Sequence, residues 1–175
     1  MSEVNISTKQ PQEPATPLPM TDSEMETYKL HRRFDRMGRL IGDEKMKRLM
    51  NSHVMIIGLG GVGSWAAESI ARSGVGKITI VDFDEVCITN FNRQIQALSG
   101  TVGTPKVKLM EERLSKINPQ AKIFGIEKFY NEANHSQIFT NEKPDFVIDA
   151  IDHVTSKCFL LAFCKKHSIP VISST

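Results

Sequence analysis

The glycines of Gly58-Leu-Gly-Gly-Val-Gly63 follow directly on an apolar run, His53-Val-Met-Ile-Ile57, and lead directly into a helical pattern, Ser64 to Arg72. Gly74 and Gly76 stop that helix, and Lys77-Ile-Thr-Ile-Val-Asp82 reads as the next strand. Strand, glycine-rich turn, helix and strand in this order describe a βαβ unit with a parallel pair. The spacing Gly58-x-Gly60-x-x-Gly63 gives each glycine a task. Gly58 allows the tight turn, Gly60 permits close backbone approach, and Gly63 lets the helix pack near the strand. The first N–H groups of the helix then face a phosphate. Asp82, at the end of the second strand, is placed to accept hydrogen bonds from ribose hydroxyls. The alternative is a glycine-rich packing turn without a ligand.

The alternation continues along the chain. Thr104-Pro105 reads as an N-cap followed by proline at the first helical position, with the helix stopping at Asn118-Pro119. Ala121 to Ile126 reads as a strand, Asn134 to Phe139 as a short helix and Asp145 to Asp149 as a buried strand. Val154 to Lys166 reads as a helix and Ile169 to Ser173 as a last strand. The pattern predicts an α/β fold, a doubly wound, mostly parallel, Rossmann-like sheet. Before it, Asp43 to Met50 reads as a helix with Met46, Leu49 and Met50 on one face. Thr21-Asp-Ser-Glu24 has the form of a capping box opening an earlier helix that carries Met25, Tyr28, Phe34 and Met37. The expected division is a proline-rich disordered tail over 1–20, a helical N-terminal arm over 21–52, and a nucleotide-binding domain over 53–175. Thr175 follows directly on a strand that needs cover on both faces, so the chain is expected to be the N-terminal portion of a larger fold.

Composition narrows the class. The 175 residues suit one domain, and no apolar run is long enough to span a membrane. The formal charge of +2 neither demands nor excludes a nucleic-acid partner. The three cysteines form no disulfide or metal pattern and fit a reducing, cytoplasmic setting. Cys158 and Cys164 fall in a helix expected to bury or half-bury them. Cys87, near the glycines in sequence, reads as a small buried hydrophobe before a catalytic thiol.

The residues after Asp82 weigh against hydride chemistry. Asp84 and Glu85 add negative charge, and Asn90, Arg93 and Gln94 then arrive in Thr-Asn-Phe-Asn-Arg-Gln. Lys106 comes next, in the first turn of a helix, where a cation is electrostatically unfavourable. Arg and Lys at the mouth of a phosphate loop are excessive for a dinucleotide and suit a triphosphate whose leaving group must be stabilised. Asp149-Ala-Ile-Asp152 stands at the carboxyl end of a strand, where ligands bind in such sheets. Asp152 there could hold Mg²⁺ through oxygen, cap the helix from Val154, or do both.

Together, Gly58-x-Gly-Gly-Val-Gly63, Asp82-x-Asp-x-Val, Asn90-x-x-Arg-Gln94, Pro105-Lys106 and Asp149-x-x-Asp152 resemble the ThiF-type adenylating fold of the ubiquitin-activating-enzyme superfamily. The resemblance covers roughly Arg33 to Thr175. Gly63 to Glu68 and Val86 to Leu98 look most like the tRNA threonylcarbamoyladenosine dehydratases. These use ATP to cyclise the threonylcarbamoyl group on tRNA adenosine.

That resemblance implies ATP and Mg²⁺ as cofactors, with Gly58, Gly60, Gly61, Gly63, Asp82, Asp84, Asn90, Arg93, Gln94 and Lys106 around the nucleotide. Asp82 would hold the ribose, and Asn90, Arg93 and Lys106 the phosphates. Asp152 would act with Mg²⁺ close to the α-phosphate. Arg36 matches an arginine that family members supply across a homodimer interface, so the catalytic set would be Arg36, Arg93, Lys106 and Asp152. The implied partners are a second copy of the chain and tRNA bearing threonylcarbamoyladenosine. Arg32, Arg33, Lys45, Lys47 and Arg48 could face tRNA phosphates, though a solvated helix face explains them equally well. The alternative in the same superfamily is adenylation of the C-terminus of a ubiquitin-like sulfur-carrier protein. A further one is a nucleotide-binding module without activity.

Overall fold

The computed structural model describes residues 32–139 and 143–174. The predicted tail, the capping box at Thr21 and the first positions of the predicted arm helix lie outside them. The chain divides after Arg33, and the unit described here begins at Phe34.

Two short helices come first, α1 (Asp35–Ile41) and α2 (Asp43–Met50), separated by Gly42 at φ +83. A residue with that backbone angle cannot continue a right-handed helix, so one amphipathic stretch becomes two. Met46 is fully buried, and Leu49 packs against the main core. Then the alternation takes over: β1 (His53–Ile57), α3 (Gly61–Arg72), β2 (Lys77–Asp82), α4 (Lys106–Ile117), β3 (Lys122–Glu127), α5 (His135–Ile138), β4 (Phe146–Asp149), α6 (Val154–Lys166) and β5 (Val171–Ser173).

All four strand pairings are parallel, in the order β3-β2-β1-β4-β5. All five residues of β1 are buried. This central strand is covered on both faces, which is why it reads as a continuous apolar run rather than an alternating one. One face buries Val54, Ile56, Ile78 and Ile80 against Ala67, Ala71, Met110 and Leu114 of α3 and α4. The other buries Met55, Ile57, Val81 and Val147 against Ile138, Leu160 and Cys164 of α5 and α6. The sheet is therefore doubly wound, and its order reverses between β1 and β4. A crevice opens at such a reversal, beyond the carboxyl ends of the strands.

The elements depart from the sequence reading mainly at their ends. Helix α4 starts at Lys106, with Pro105 at the N-cap (φ −54, ψ 129) and no side-chain cap bond from Thr104. The proline stands one position earlier than expected, and the Lys106 N–H, which has no partner within the helix, donates to the Asp84 carbonyl, 3.0 Å away. Strands β3, β4 and β5 each start one or two residues later than the pattern suggested.

Candidate functional site

The glycine turn joins β1 to α3 at the point of strand reversal. Gly58 has φ +95, donates its N–H to Val81 O (2.8 Å), and lies so near β4's end that a Cβ would come within 2.5 Å of the Ala150 carbonyl. At Gly63 a Cβ would run into the carbonyl of Gly58, so helix and turn touch there as the spacing required. Gly60, the N-cap of α3, has no atom within 4 Å of where its Cβ would stand and makes no side-chain cap bond. Gly61 lies against the aliphatic stem of Arg93.

A cavity of about 430 Å³ opens here, lined by Gly58, Gly60, Gly61, Asp82, Asp84 and Asn90. Arg93, Gln94, Lys106, Ala150, Ile151 and Asp152 line it too. Nine of the ten nucleotide positions expected from sequence thus share one space. Gly63 is the exception, since it faces the turn behind.

Asp82 is the hub. Its carboxylate accepts the N–H of Leu59 (2.5 Å) and of Asp84 (2.8 Å), tying the end of β2 to the glycine turn. Burial pushes its pKa above the ordinary aspartate value, and the two backbone N–H bonds and Lys106 only partly offset this. Lys106 is almost wholly buried and reaches Asp84 Oδ2 at 2.8 Å. That pair answers the puzzle of a lysine opening a helix: its charge is balanced locally.

A one-turn 3-10 helix, Ile88–Asn90, turns the chain into the site. The Asn90 side-chain oxygen accepts the Cys87 N–H (2.9 Å), and the Asn90 carbonyl accepts the N–H of Arg93 and of Gln94. Arg93 donates to the Thr89 carbonyl (2.8 Å) and to Asn92 Oδ1 (3.2 Å). No carboxylate among the described residues pairs with it. The exposed Trp65 indole donates to the Arg93 carbonyl at 3.0 Å, bracing this segment against α3.

The Asp149-x-x-Asp152 motif divides its labour. Asp149 is fully buried, accepting the Ile151 N–H (3.0 Å), the Ser173 hydroxyl (2.7 Å) and the Lys157 ammonium (2.7 Å). It fixes the loop, while Asp152 is exposed on the cavity wall. Capping of α6 falls to His153, whose Nδ1 accepts the Ser156 N–H (3.3 Å), so Asp152 is not the cap.

Arg36 is not at this cavity. Helices α1 and α2 belong to the edge where the strands begin: Phe34 and Met46 pack at the Gly74 turn, and the Gly76 N–H donates to the Leu49 carbonyl. Arg36 is exposed there. Two cysteine expectations fail. Cys87 is exposed, with its Sγ accepting the Thr89 hydroxyl at 3.2 Å, which lowers the thiol pKa. Cys158 is exposed because it lies about 200° around the helix from buried Leu160. Cys164 is buried as expected, and burial raises its pKa to about 11.

The sequence reading missed Phe83, Lys128, Phe129 and Tyr130, which also line the cavity. Phe83 and Phe129 meet edge to face at 4.9 Å, and Phe129 meets His153 at 5.5 Å. It also missed Lys157 and Gln96, whose bonds join segments far apart in sequence. Position after a strand's carboxyl end was the available signal for Phe83 and Phe129. No local signal marks Gln96.

A glycine-rich turn, an acid ending the second strand, two cations and a second acid share one crevice at the strand reversal of an α/β domain. The chain belongs to the ThiF family, whose model matches residues 34–175. It is 45% identical over 141 residues to a tRNA threonylcarbamoyladenosine dehydratase of Haemophilus influenzae, covering 81% of this chain and 54% of that protein. The structure of the Escherichia coli tRNA N6-threonylcarbamoyladenosine dehydratase in complex with ATP matches with a TM-score of 0.79 at 38% identity, over 89% of this chain and 61% of that one. The molybdopterin-synthase adenylyltransferase of Escherichia coli is 34% identical, over 88% of this chain and 59% of that protein. The chain thus spans little more than half the length of these relatives.

Proposed function

We propose that this chain carries the ATP-binding part of a tRNA threonylcarbamoyladenosine dehydratase. The observation that carries the reading is the convergence of the glycine turn, Asp82, Arg93, Lys106 and Asp152 on one cavity. Greater identity to a dehydratase than to the molybdopterin-synthase adenylyltransferase favours it over sulfur-carrier activation.

ATP fits this cavity as a substrate. Gly60 leaves its backbone open to close approach, and Arg93 has no carboxylate among the described residues to neutralise it. Asp82 keeps lone pairs for the ribose, and Arg93, Lys106 and Asn90 take the phosphates. Among the described residues no three His, Cys, Asp or Glu gather into a metal cage. Mg²⁺ needs no cage, since it is commonly held through one or two carboxylates together with substrate phosphates, and Asp152 supplies such a carboxylate. Bound there, Mg²⁺ would neutralise phosphate charge.

The chemistry asked of the site is loss of one water from a poor electrophile. The carboxylate of the threonylcarbamoyl group attacks the α-phosphate and pyrophosphate leaves. A nitrogen of the same group then attacks the activated carbonyl and AMP departs. Arg93 and Lys106 stabilise the charge that develops on the leaving group; a single arginine so placed is worth ~10³-fold or more in rate. No protein nucleophile is needed, which agrees with an exposed Cys87 outside the cavity wall.

Arg36 is read as a residue given to a second copy, since it lies away from its own chain's cavity. A homodimer has apolar surface available to it: Val62 and Trp65 in α3, and Ile88, Phe91 and Leu98 in the segment between β2 and α4, are exposed. No described helix is long and apolar enough to cross a membrane, and a tRNA substrate supports a cytoplasmic reading.

The test is incubation of the purified protein with ATP, Mg²⁺ and tRNA bearing threonylcarbamoyladenosine, followed by mass spectrometry of the digested nucleosides. ATP-dependent loss of one water, abolished by Arg93→Ala, supports the reading. An unchanged nucleoside beside ATP–pyrophosphate exchange driven by a small carrier protein would replace it with sulfur-carrier activation.

A further inference from the structure

We infer that Gln96, a buried residue outside the cavity wall, is a positioning residue that fixes which end of the Gln94 amide faces the nucleotide. This rests on the reading of the cavity as an ATP site. The Leu59 carbonyl can only accept a hydrogen bond, so the Gln96 atom 2.8 Å from it is the amide nitrogen Nε2. The same nitrogen lies 3.2 Å from the Gln94 amide, and its second N–H requires an acceptor there, which is Gln94 Oε1. Gln94 lines the cavity and Gln96 does not. With its oxygen engaged by Gln96, Gln94 keeps its NH₂ group for a ligand in the cavity that it lines. That end donates to a phosphate oxygen, whereas the carbonyl end would repel it.

The arrangement leaves a visible strain. Gln96 Oε1 is buried, and no partner for it exists among the described residues. Turning the amide over would set an oxygen against the Leu59 carbonyl and release Gln94. A buried acceptor without a donor is destabilising, and it persists here because the nitrogen serves two acceptors at once. One of these belongs to the glycine turn and the other to the segment carrying Arg93. Leu59 is consequently gripped at both polar groups, its N–H by Asp82 and its carbonyl by Gln96.

Calorimetric titration of ATP–Mg²⁺ and of adenosine into wild type, Gln96→Met, Gln94→Met and the double variant tests this. Gln96→Met is expected to weaken ATP about tenfold, the scale of one hydrogen bond to a charged group, while adenosine binding stays unchanged. In the Gln94→Met background the Gln96 change is expected to have no further effect, because its action passes through Gln94. Should Gln96→Met fail to fold, Gln96→Asn draws the amide short of both acceptors and gives the same comparison. Wild-type ATP affinity in the Gln96 variants, equal losses for ATP and adenosine, or full additivity in the double variant would each overturn the inference. Wild type that binds no ATP overturns the ATP reading itself, and the positioning role with it.

Discussion

Lys106 and Asp84 are joined twice: the ammonium lies 2.8 Å from the Asp84 carboxylate, and the Lys106 N–H donates to the Asp84 carbonyl at 3.0 Å. The lysine side chain is 6% exposed and the aspartate 46%, so the pair is buried at its cationic end and open at its anionic end. A phosphate entering the cavity therefore meets a cation already fixed in place. Removing that cation leaves only a half-exposed carboxylate that water can serve. Lys106→Met should weaken ATP–Mg²⁺ binding more than about tenfold, while the melting temperature falls by only a few degrees. Trp65, the chain's one tryptophan, sits against the Arg93 carbonyl and gives a fluorescence signal for the titration.

The raised pKa of Asp82 gives the site a pH signature. Ribose hydroxyls donate to the ionised carboxylate, so ATP affinity should fall on acidification, with an inflection above the ordinary aspartate range. The stability effect has the opposite sign. Between the unfolded and the raised folded pKa the native state binds more protons, so this group's contribution to stability declines as pH rises through that window. Asp82→Asn should abolish the inflection in affinity. Titrations of ATP across mildly acidic pH, beside melts of both proteins, measure the two effects separately.

The centre of the sheet was legible because its cover leaves a pattern in the strand's own residues: β1 is apolar from Val54 to Ile57, as a strand buried on both faces must be. The site glycines and acids were legible because their tasks fall at the ends of strands, where sequence position fixes location. Gln96 and Lys157 were not legible. Each acts on residues whose nearness depends on the finished fold, Gln96 on a turn 37 positions earlier and Lys157 on β5's end. Cys158 was misplaced although helical spacing from Leu160 and Cys164 sets it on the outer face. His153 took the capping role from Asp152 through an imidazole nitrogen, a cap that the usual short side chains do not announce.

The Asp149–Lys157 pair should behave as a buried ion pair whose halves depend on each other. Asp149 is wholly buried and the Lys157 side chain 12% exposed. Lys157→Met strands a buried carboxylate and should cost about 3–5 kcal/mol. Replacing both, as Asp149→Leu with Lys157→Met, should recover much of that loss, since an apolar pair of similar volume needs no compensating charge. Urea denaturation of the two variants decides it. Similar destabilisation in both would mean that the Ser173 and Ile151 bonds to Asp149, and not the charge pairing, hold the loop.

Gly60 and Gly63 separate the two meanings of a glycine-rich turn. At Gly63 a methyl group has nowhere to go, because the Gly58 carbonyl and the Ala150 Cβ already occupy the space. Gly63→Ala should therefore destabilise the fold by several kcal/mol, on the order expected for overpacking of a rigid contact. At Gly60 the backbone is extended (φ −72, ψ −154) and the space beyond is open. Gly60→Ala should fold with near wild-type stability, yet set a methyl group where the phosphates approach the start of α3. Its ATP affinity should drop by about tenfold or more, roughly the loss of one charge-assisted hydrogen bond. A packing turn without a ligand predicts the reverse at this position: no binding to lose, and no consequence of the methyl beyond the ordinary stability difference between glycine and alanine. Thermal melts and ATP titrations of the two alanine variants, run side by side, distinguish a turn that only packs from one that also holds phosphate.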